Sequence, residues 1–225
     1  MDERVIKILV EAFPKLMSAA VKTMVPLTVL GFSFAMVISL VVALVQVARV
    51  PVLKQLARFY IWIFRGTPLL VQLFVVFYGL PSLGILIDAF PAAVLVFALN
   101  EGAYAAETMR AAIESVSEGQ IEAGYCVGLN YIQIMWHIVL PQAMRTAFPS
   151  LSNALISMVK DTSLASVITV QEIMMTAQRV NARYYEPLLL YCEAGVVYLI
   201  FSTVLTWLQS VGEKYLNKYR GGNRS

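Results

Sequence analysis

At 225 residues, 59% of them apolar and only 14% charged, the chain is far from the balance of a soluble domain and calls for a bilayer. A crossing takes about 20 mostly apolar residues, so this length holds about five or six crossings and leaves no soluble catalytic domain over. The formal net charge of +3 is spread through loops and tail without the basic run that nucleic acid would need.

In chain order, Ile6, Leu9, Val10, Phe13 and Met17 recur at helical spacing opposite Asp2, Glu3, Lys7, Glu11 and Lys15, which predicts an interfacial helix over 1–22. Residues 23–48 carry no charge, are too long for the core of a cleavable signal and lack a small-residue cleavage site, so they are read as the first crossing and a lasting anchor. The second apolar block, 59–87, is interrupted by Arg65-Gly66-Thr67-Pro68. It is expected to start in the cytosolic interface, kink at Gly66 and Pro68, and cross from about Leu69. A third crossing is predicted over 91–112 despite Glu101 and Glu107, because Gly102, Ala103, Ala105 and Ala106 let helices approach closely. The fourth, 143–167, contains Lys160 and Asp161; the fifth, 187–208, contains Glu193. The expectation is an all-α integral membrane protein: five transmembrane helices within a membrane domain 23–211, a polar loop at 113–142 and a basic tail at 212–225.

Direction follows from charge. The first loop holds Arg49, Lys54, Arg58 and Arg65 with no acid, and the tail holds Lys214, Lys218, Arg220 and Arg224, so both are placed in the cytosol. Four crossings lie between them, which puts them on one side, as the charge rule requires. The N-terminus is then outside, and 171–186 is external, with Met174, Met175, Tyr184 and Tyr185 as packing or docking residues. Cys126 and Cys192 fall in a cytosolic loop and a crossing, so no disulfide is expected, and the single histidine, His137, excludes a zinc group of the usual spacing.

The cytosolic loop reads Glu122-Ala123-Gly124-Tyr125-Cys126-Val127-Gly128, nine residues, then Ile138-Val139-Leu140-Pro141. Physically this is a short helix, a turn at Gly128, a second short helix from Tyr131 to Val139 and a proline opening the next crossing. It resembles the EAA loop of permease subunits of binding-protein-dependent ABC importers: Glu-Ala-Ala, three residues, Gly, nine residues, Ile-x-Leu-Pro. Six of seven fixed positions match, Glu122, Ala123, Gly128, Ile138, Leu140 and Pro141, and Gly124 departs from the preferred alanine. Arg65 to Gln72, Gly102-Ala103-Tyr104 with Glu107 and Arg110, and Lys160-Asp161-Thr162-Ser163-Leu164 look like the polar amino-acid branch, so the likeness covers roughly residues 20–210.

That resemblance implies coupling helices between crossings 3 and 4 that dock on a separate ATPase dimer, a second permease subunit, identical or related, and an extracytoplasmic solute-binding protein. It implies a multi-pass protein of the bacterial cytoplasmic (inner) membrane, and uptake of a polar amino acid as the activity. ATP and Mg would sit on the partner ATPase, with no cofactor bound by this chain. The sequence agrees, in that it has no Gly-x-x-x-x-Gly-Lys-[Ser/Thr] phosphate loop.

Charges inside a crossing cost at least about 2.5 to 3.5 kcal/mol and usually face a bundle interior or a wet pathway. Asp161, Glu193 and Glu101 are therefore candidate solute ligands, with Thr162, Ser163 and Asn100 as hydrogen-bonding neighbours. For Asp161 an ion pair or helix cap is the alternative, and for Glu101 a structural network with Asn100 and Tyr104. A second buried carboxylate favours a basic amino acid. Arg110, Glu114, Glu118 and Glu122 follow at fourfold spacing, as a solvated face or an ATPase contact. An ion-coupled secondary amino-acid transporter using Glu101, Asp161 and Glu193 as a relay is the rival, and it leaves the cytosolic loop unexplained; an intramembrane enzyme finds no nucleophile and base pair.

Overall fold

A computed structural model describes residues 3–48 and 50–218. Met1, Asp2, Arg49 and 219–225, with Arg220 and Arg224 of the basic tail, lie outside the described residues. Among the described residues all regular structure is helical.

Helix α1 (Glu3–Ala19) passes through a π turn (Ala20–Met24) into α2 (Val25–Val47), so the expected interfacial helix runs unbroken into the first crossing. Helix α3 (Pro51–Gly66) begins eight residues before the apolar block read from the sequence. It turns through 102° into α4 (Leu69–Phe74), which continues through a π turn (Val75–Gly79) and a 3-10 turn (Leu80–Leu83). The expected kink at Gly66 and Pro68 is this bend. Helix α5 (Ala89–Glu114) is followed by α6 (Glu118–Cys126), α7 (Tyr131–Ile134), a π turn (Met135–Val139) and α8 (Leu140–Asp161). A 3-10 segment (Thr162–Ile168), α9 (Ile173–Tyr184) and α10 (Pro187–Lys218) complete the described chain.

Each π turn ends two residues before a proline: Pro26, Pro81 and Pro141. Proline has no N–H, and its ring clashes with the carbonyl four residues back. Widening the preceding turn relieves this, and the last N–H before the proline reaches back five residues instead: Val25 to Ala20, Leu80 to Val75, Leu140 to Met135. Pro141 therefore does not start a new helix, as the sequence suggested; Tyr131 to Asp161 is one continuous helical rod. Pro14 and Pro149 sit inside α1 and α8 without such a turn.

Among the described residues three helices are long and apolar enough to cross a membrane, Glu3–Val47, Ala89–Glu114 and Pro187–Leu216, and the bent pair α3 and α4 brings the number to four at most. Helix α8, where the fourth crossing was expected, is 22 residues, about 33 Å by the helical rise. Its length suffices, but Gln142, Arg145, Thr146, Asn153, Lys160 and Asp161 dilute its apolar content.

The tightest packing joins α2 to α5. Gly31, Ala35, Ser39 and Ala43, at every fourth position of α2, are all buried, and α5 answers with buried Ala98, Gly102, Ala105 and Ala106. Small residues let the two backbones approach in a bilayer, where apolar burial by itself drives nothing together. A Cβ on Gly102 would lie 2.9 Å from Cγ2 of Ile38 and 3.0 Å from Oη of Tyr60. The Tyr60 hydroxyl is itself fixed by donating to the Leu99 carbonyl at 2.6 Å. Gly102→Ala is therefore expected to cost about 1–3 kcal/mol and to lower the melting temperature in detergent, with recovery when Ile38→Ala is added. An unchanged melting temperature would show that α2 and α5 are free to move apart.

At the end away from the loop, α1 packs on α9 and α10. Lys15 donates to Glu11 at 2.7 Å, the Tyr184 hydroxyl donates to the same carboxylate, and Arg4 pairs with Glu186 at 3.4 Å. The hydrogen bond to Glu11 raises the Tyr184 phenol above its ordinary pKa. Tyr185 caps α9 in the left-handed region, at φ 56°, and is exposed.

Candidate functional site

Most of the candidate residues fall in two regions, and the same two helices, α5 and α8, connect them. The first is the loop between α5 and α8. Helix α6 ends in paired reverse bonds, Gly128 N–H to the Tyr125 carbonyl at 2.9 Å and Leu129 N–H to the Gly124 carbonyl at 3.1 Å. Gly128 takes φ 80° to close them, a conformation that costs a residue with a Cβ. Asn130 then opens α7 through a reciprocal cap: its Oδ1 accepts from Gln133 N–H and its own N–H donates to Gln133 Oε1, both at 2.9 Å.

The two short helices pack through Gly124. A Cβ there would lie 2.8 Å from Cγ1 of Ile134 and 3.1 Å from Cδ1 of Ile138. Ile134, fully buried, takes the space a side chain would need, which accounts for glycine where the resembling family prefers alanine. Ile134, Met135, Val139 and Leu140 join Met109, Ala112 and Ile113 of α5 in one apolar cluster, so the knob is fixed to the end of α5. The six motif residues divide by environment. Glu122 and Ala123 are exposed, Gly128 makes the turn, Ile138 is half-buried, Leu140 is buried and Pro141 directs the π turn. Tyr125, Val127, Ile132 and Trp136 are also exposed, leaving an apolar surface on the knob that the motif does not name.

The second region is interior. Glu101, half-buried on α5, and Asp161, exposed at the end of α8, lie within Coulombic range of each other, and Lys160 lies within range of Asp161. Helix α8 stops at Asp161, and the chain tightens into the 3-10 segment that ends at Thr169 with φ 67°. Thr162 is fully buried; its hydroxyl donates to the Val159 carbonyl at 2.6 Å and lies against the Tyr198 hydroxyl. The Ser163 carbonyl accepts from Ser166 Oγ at 2.7 Å.

Glu193 lies on the last described helix. It is buried on α10, where the neighbouring Ala194 and Val197 pack with Leu16, Val159 and Ile173, and its Oε2 has no hydrogen-bond partner. Asn100 is engaged in the bend between α3 and α4, donating to the Phe64 carbonyl at 3.2 Å and to Gln72 Oε1 at 3.1 Å. Gln72, also buried, donates to the carbonyls of Phe64 and Thr67 at 3.0 and 3.1 Å. These amides satisfy carbonyls that the 102° bend releases from helical bonding. The Arg65 side chain stacks 5.2 Å above the Tyr104 ring and reaches Glu107 at 3.8 Å, and Arg110 binds Glu107 at 3.0 Å and Glu114 at 2.6 Å. Of the expected charge row, Arg110 and Glu114 pair at the end of α5, whereas Glu118 and Glu122 fall on the separate helix α6.

Glu172 escaped the sequence reading. It is fully buried, caps α9 by accepting from Met175 N–H at 2.8 Å, and accepts from the Tyr198 hydroxyl. A glutamate three residues before Met175 in an apolar stretch was the available signal.

The family described as "Binding-protein-dependent transport system inner membrane component" matches residues 35–217. The L-cystine transport system permease protein TcyB of Bacillus subtilis (strain 168) is 43% identical over 93% of this chain and 90% of its own. TcyL, an L-cystine transport system permease protein of the same organism, is 42% identical over 84% of this chain and 82% of its own. Among solved structures, a chain from the crystal structure of an amino acid ABC transporter with histidines superposes with a TM-score of 0.85. It is 32% identical, over 92% of this chain and 96% of that one.

Proposed function

The chain belongs to the binding-protein-dependent transport system inner membrane components, and from that premise we propose how it moves its solute: the knob between α5 and α8 takes up the motion of an ATPase and passes it to Glu101 and Asp161. The chain is an amino-acid ABC importer permease, a membrane transport subunit and not itself a catalytic enzyme. An importer of this family works with an ATPase and a solute-binding protein.

The observation that carries the proposal is connectivity. Helix α5 holds Glu101 and ends at the knob, and the knob continues without interruption from Tyr131 through α8 to Asp161. A continuous helix carries a displacement at one end toward the other, so moving the knob moves the two carboxylates relative to each other. That is a two-state bias supplied by ATP and Mg on the partner, with no chemistry on this chain.

The finer reading has five crossings, with α8 as the polar one because it lines the pathway. The N-terminus is external, and the knob and C-terminal tail are cytosolic. Asp161 is exposed on the single chain, and an exposed carboxylate within a crossing needs a wet surface or a facing subunit, so the functional unit is a pair of permease subunits, two copies or two related chains. The solute is a polar amino acid with a second cationic nitrogen. A basic side chain meets that description, and so does cystine, the solute named for the relatives, which has two ammonium groups.

Proteoliposomes holding this chain with its ATPase and binding protein are expected to take up such an amino acid only with internal ATP, and to stop with vanadate. A panel of arginine, lysine, histidine, cystine and leucine identifies the cargo. Uptake driven by an ion gradient without ATP would replace this reading with the secondary transporter.

A further inference from the structure

Helix α3 reads Pro-Val-Leu-Lys-Gln-Leu-Ala-Arg-Phe-Tyr-Ile-Trp-Ile-Phe-Arg-Gly, with three cations and no acid. Lys54, Arg58 and Arg65, four and seven residues apart, share one edge. Ala57 and Ile61 are buried on the side facing the bundle, and Val52, Leu56, Phe59 and Trp62 form a stripe 57–70% exposed. This is an amphipathic helix whose apolar stripe nothing among the described residues covers.

Two hollows meet on it. One, of about 480 Å³, is polar and contains Lys54, Arg58, Arg65, Arg110, Glu107 and Glu114. The other, of about 400 Å³, is lined by Leu56, Phe59 and Trp62 with Gln55 and Arg58. Arg58 and Trp62 line both, so the polar hollow and the apolar one are neighbours on α3. Four cations face two acids in the first hollow. Both acids are taken, Glu107 by Arg110 and Arg65, Glu114 by Arg110, and Lys54 and Arg58 have no ion pair among the described residues.

We propose that this is a binding site for an anionic phospholipid, the phosphate held by Lys54 and Arg58 and one acyl chain lying along Leu56, Phe59 and Trp62. A free phosphate has no use for the apolar hollow. A zwitterionic lipid brings its own cation to a place that already has an excess of them. Basic pockets between helices at the cytosolic surface hold anionic headgroups by the same balance. The proposal rests on the reading that α3 lies in the cytosolic interface of a permease.

The chain has three tryptophans, so Trp136→Phe with Trp207→Phe leaves Trp62 as sole fluorophore. The full-length chain in phosphatidylcholine nanodiscs is titrated with phosphatidylglycerol or phosphatidylcholine brominated in the acyl chains. Brominated phosphatidylglycerol is expected to quench Trp62 at about 30-fold lower mole fraction than the phosphatidylcholine, two cations each contributing about 1 kcal/mol near a charged headgroup. Lys54→Gln with Arg58→Gln should abolish that preference, and Lys54→Arg with Arg58→Lys should keep it. Equal quenching by both lipids, an unchanged preference in the glutamine variant, or full displacement by millimolar glycerol 3-phosphate each overturns the site. The side of the membrane is read separately, by labelling Gln55→Cys with an impermeant maleimide in a chain lacking Cys126 and Cys192. Labelling from outside would refute the cytosolic placement while leaving lipid selectivity to its own measurement.

Discussion

Gly124→Val is expected to leave the chain in the membrane and to reduce ATP-driven uptake by at least about tenfold while the partner ATPase still hydrolyses ATP. The added methyl groups must enter space held by Cγ1 of Ile134 at 2.8 Å and Cδ1 of Ile138 at 3.1 Å from where a Cβ would sit. Ile134 is fully buried against α5 and cannot swing aside. Overpacking of this kind costs about 1–3 kcal/mol, and a helix nine residues long with exposed ends relieves it most cheaply by tilting α6 away. The exposed patch of Tyr125, Val127, Ile132 and Trp136, split between α6 and the next helix, then loses its shape. Adding Ile134→Ala makes room and should restore part of the coupling. Wild-type uptake by the single variant, measured in proteoliposomes beside hydrolysis, would mean that the two short helices need not be packed together for energy to arrive.

Asp161→Asn is expected to raise the KM for a cationic amino acid by about 10- to 150-fold, the value of one charge-assisted hydrogen bond of roughly 1.5–3 kcal/mol. The same change should make the solute-free protein more stable to heat. Two ionised carboxylates within Coulombic range oppose each other in an empty site, and a cationic solute relieves that; Lys160, in range of Asp161, offsets only part of it. Glu101→Gln should act alike, and the double variant should lose little beyond either single one, because both act through one solute charge. The stability measurement separates this from a structural role: a carboxylate acting as an ion-pair partner or cap would destabilise the fold when removed. A lower melting temperature together with an unchanged KM would take Asp161 out of the solute site.

Much of the knob was legible in advance because its signals are local. A glycine past a helix end acts through backbone geometry within a few residues, and the turn at Gly128 appears where the spacing put it; the proline after Leu140 widens the preceding turn and does not open a helix. The kink at Gly66 and Pro68 was legible for the same reason. The role of Asn100 was less so. Its neighbours in sequence suggested a partner for Glu101, whereas its amide reaches across to Phe64 and Gln72, more than two dozen residues away in the chain. The burial of Glu193 also follows from tertiary packing, its neighbours Ala194 and Val197 lying where α10 meets other helices.

By itself the sequence determined the membrane environment, the helical content and the motif between α5 and α8, since bilayer thickness and local backbone hydrogen bonding act on each segment in isolation. Only the tertiary structure decided that Gly124 is required by Ile134, that Asn100 serves the bend, and that Glu101 of α5 comes within Coulombic range of Asp161 at the end of α8. Those facts depend on which helix faces share a contact. A repeat of small residues along α2 and α5 permits such a contact but does not name its register until both helices are in place.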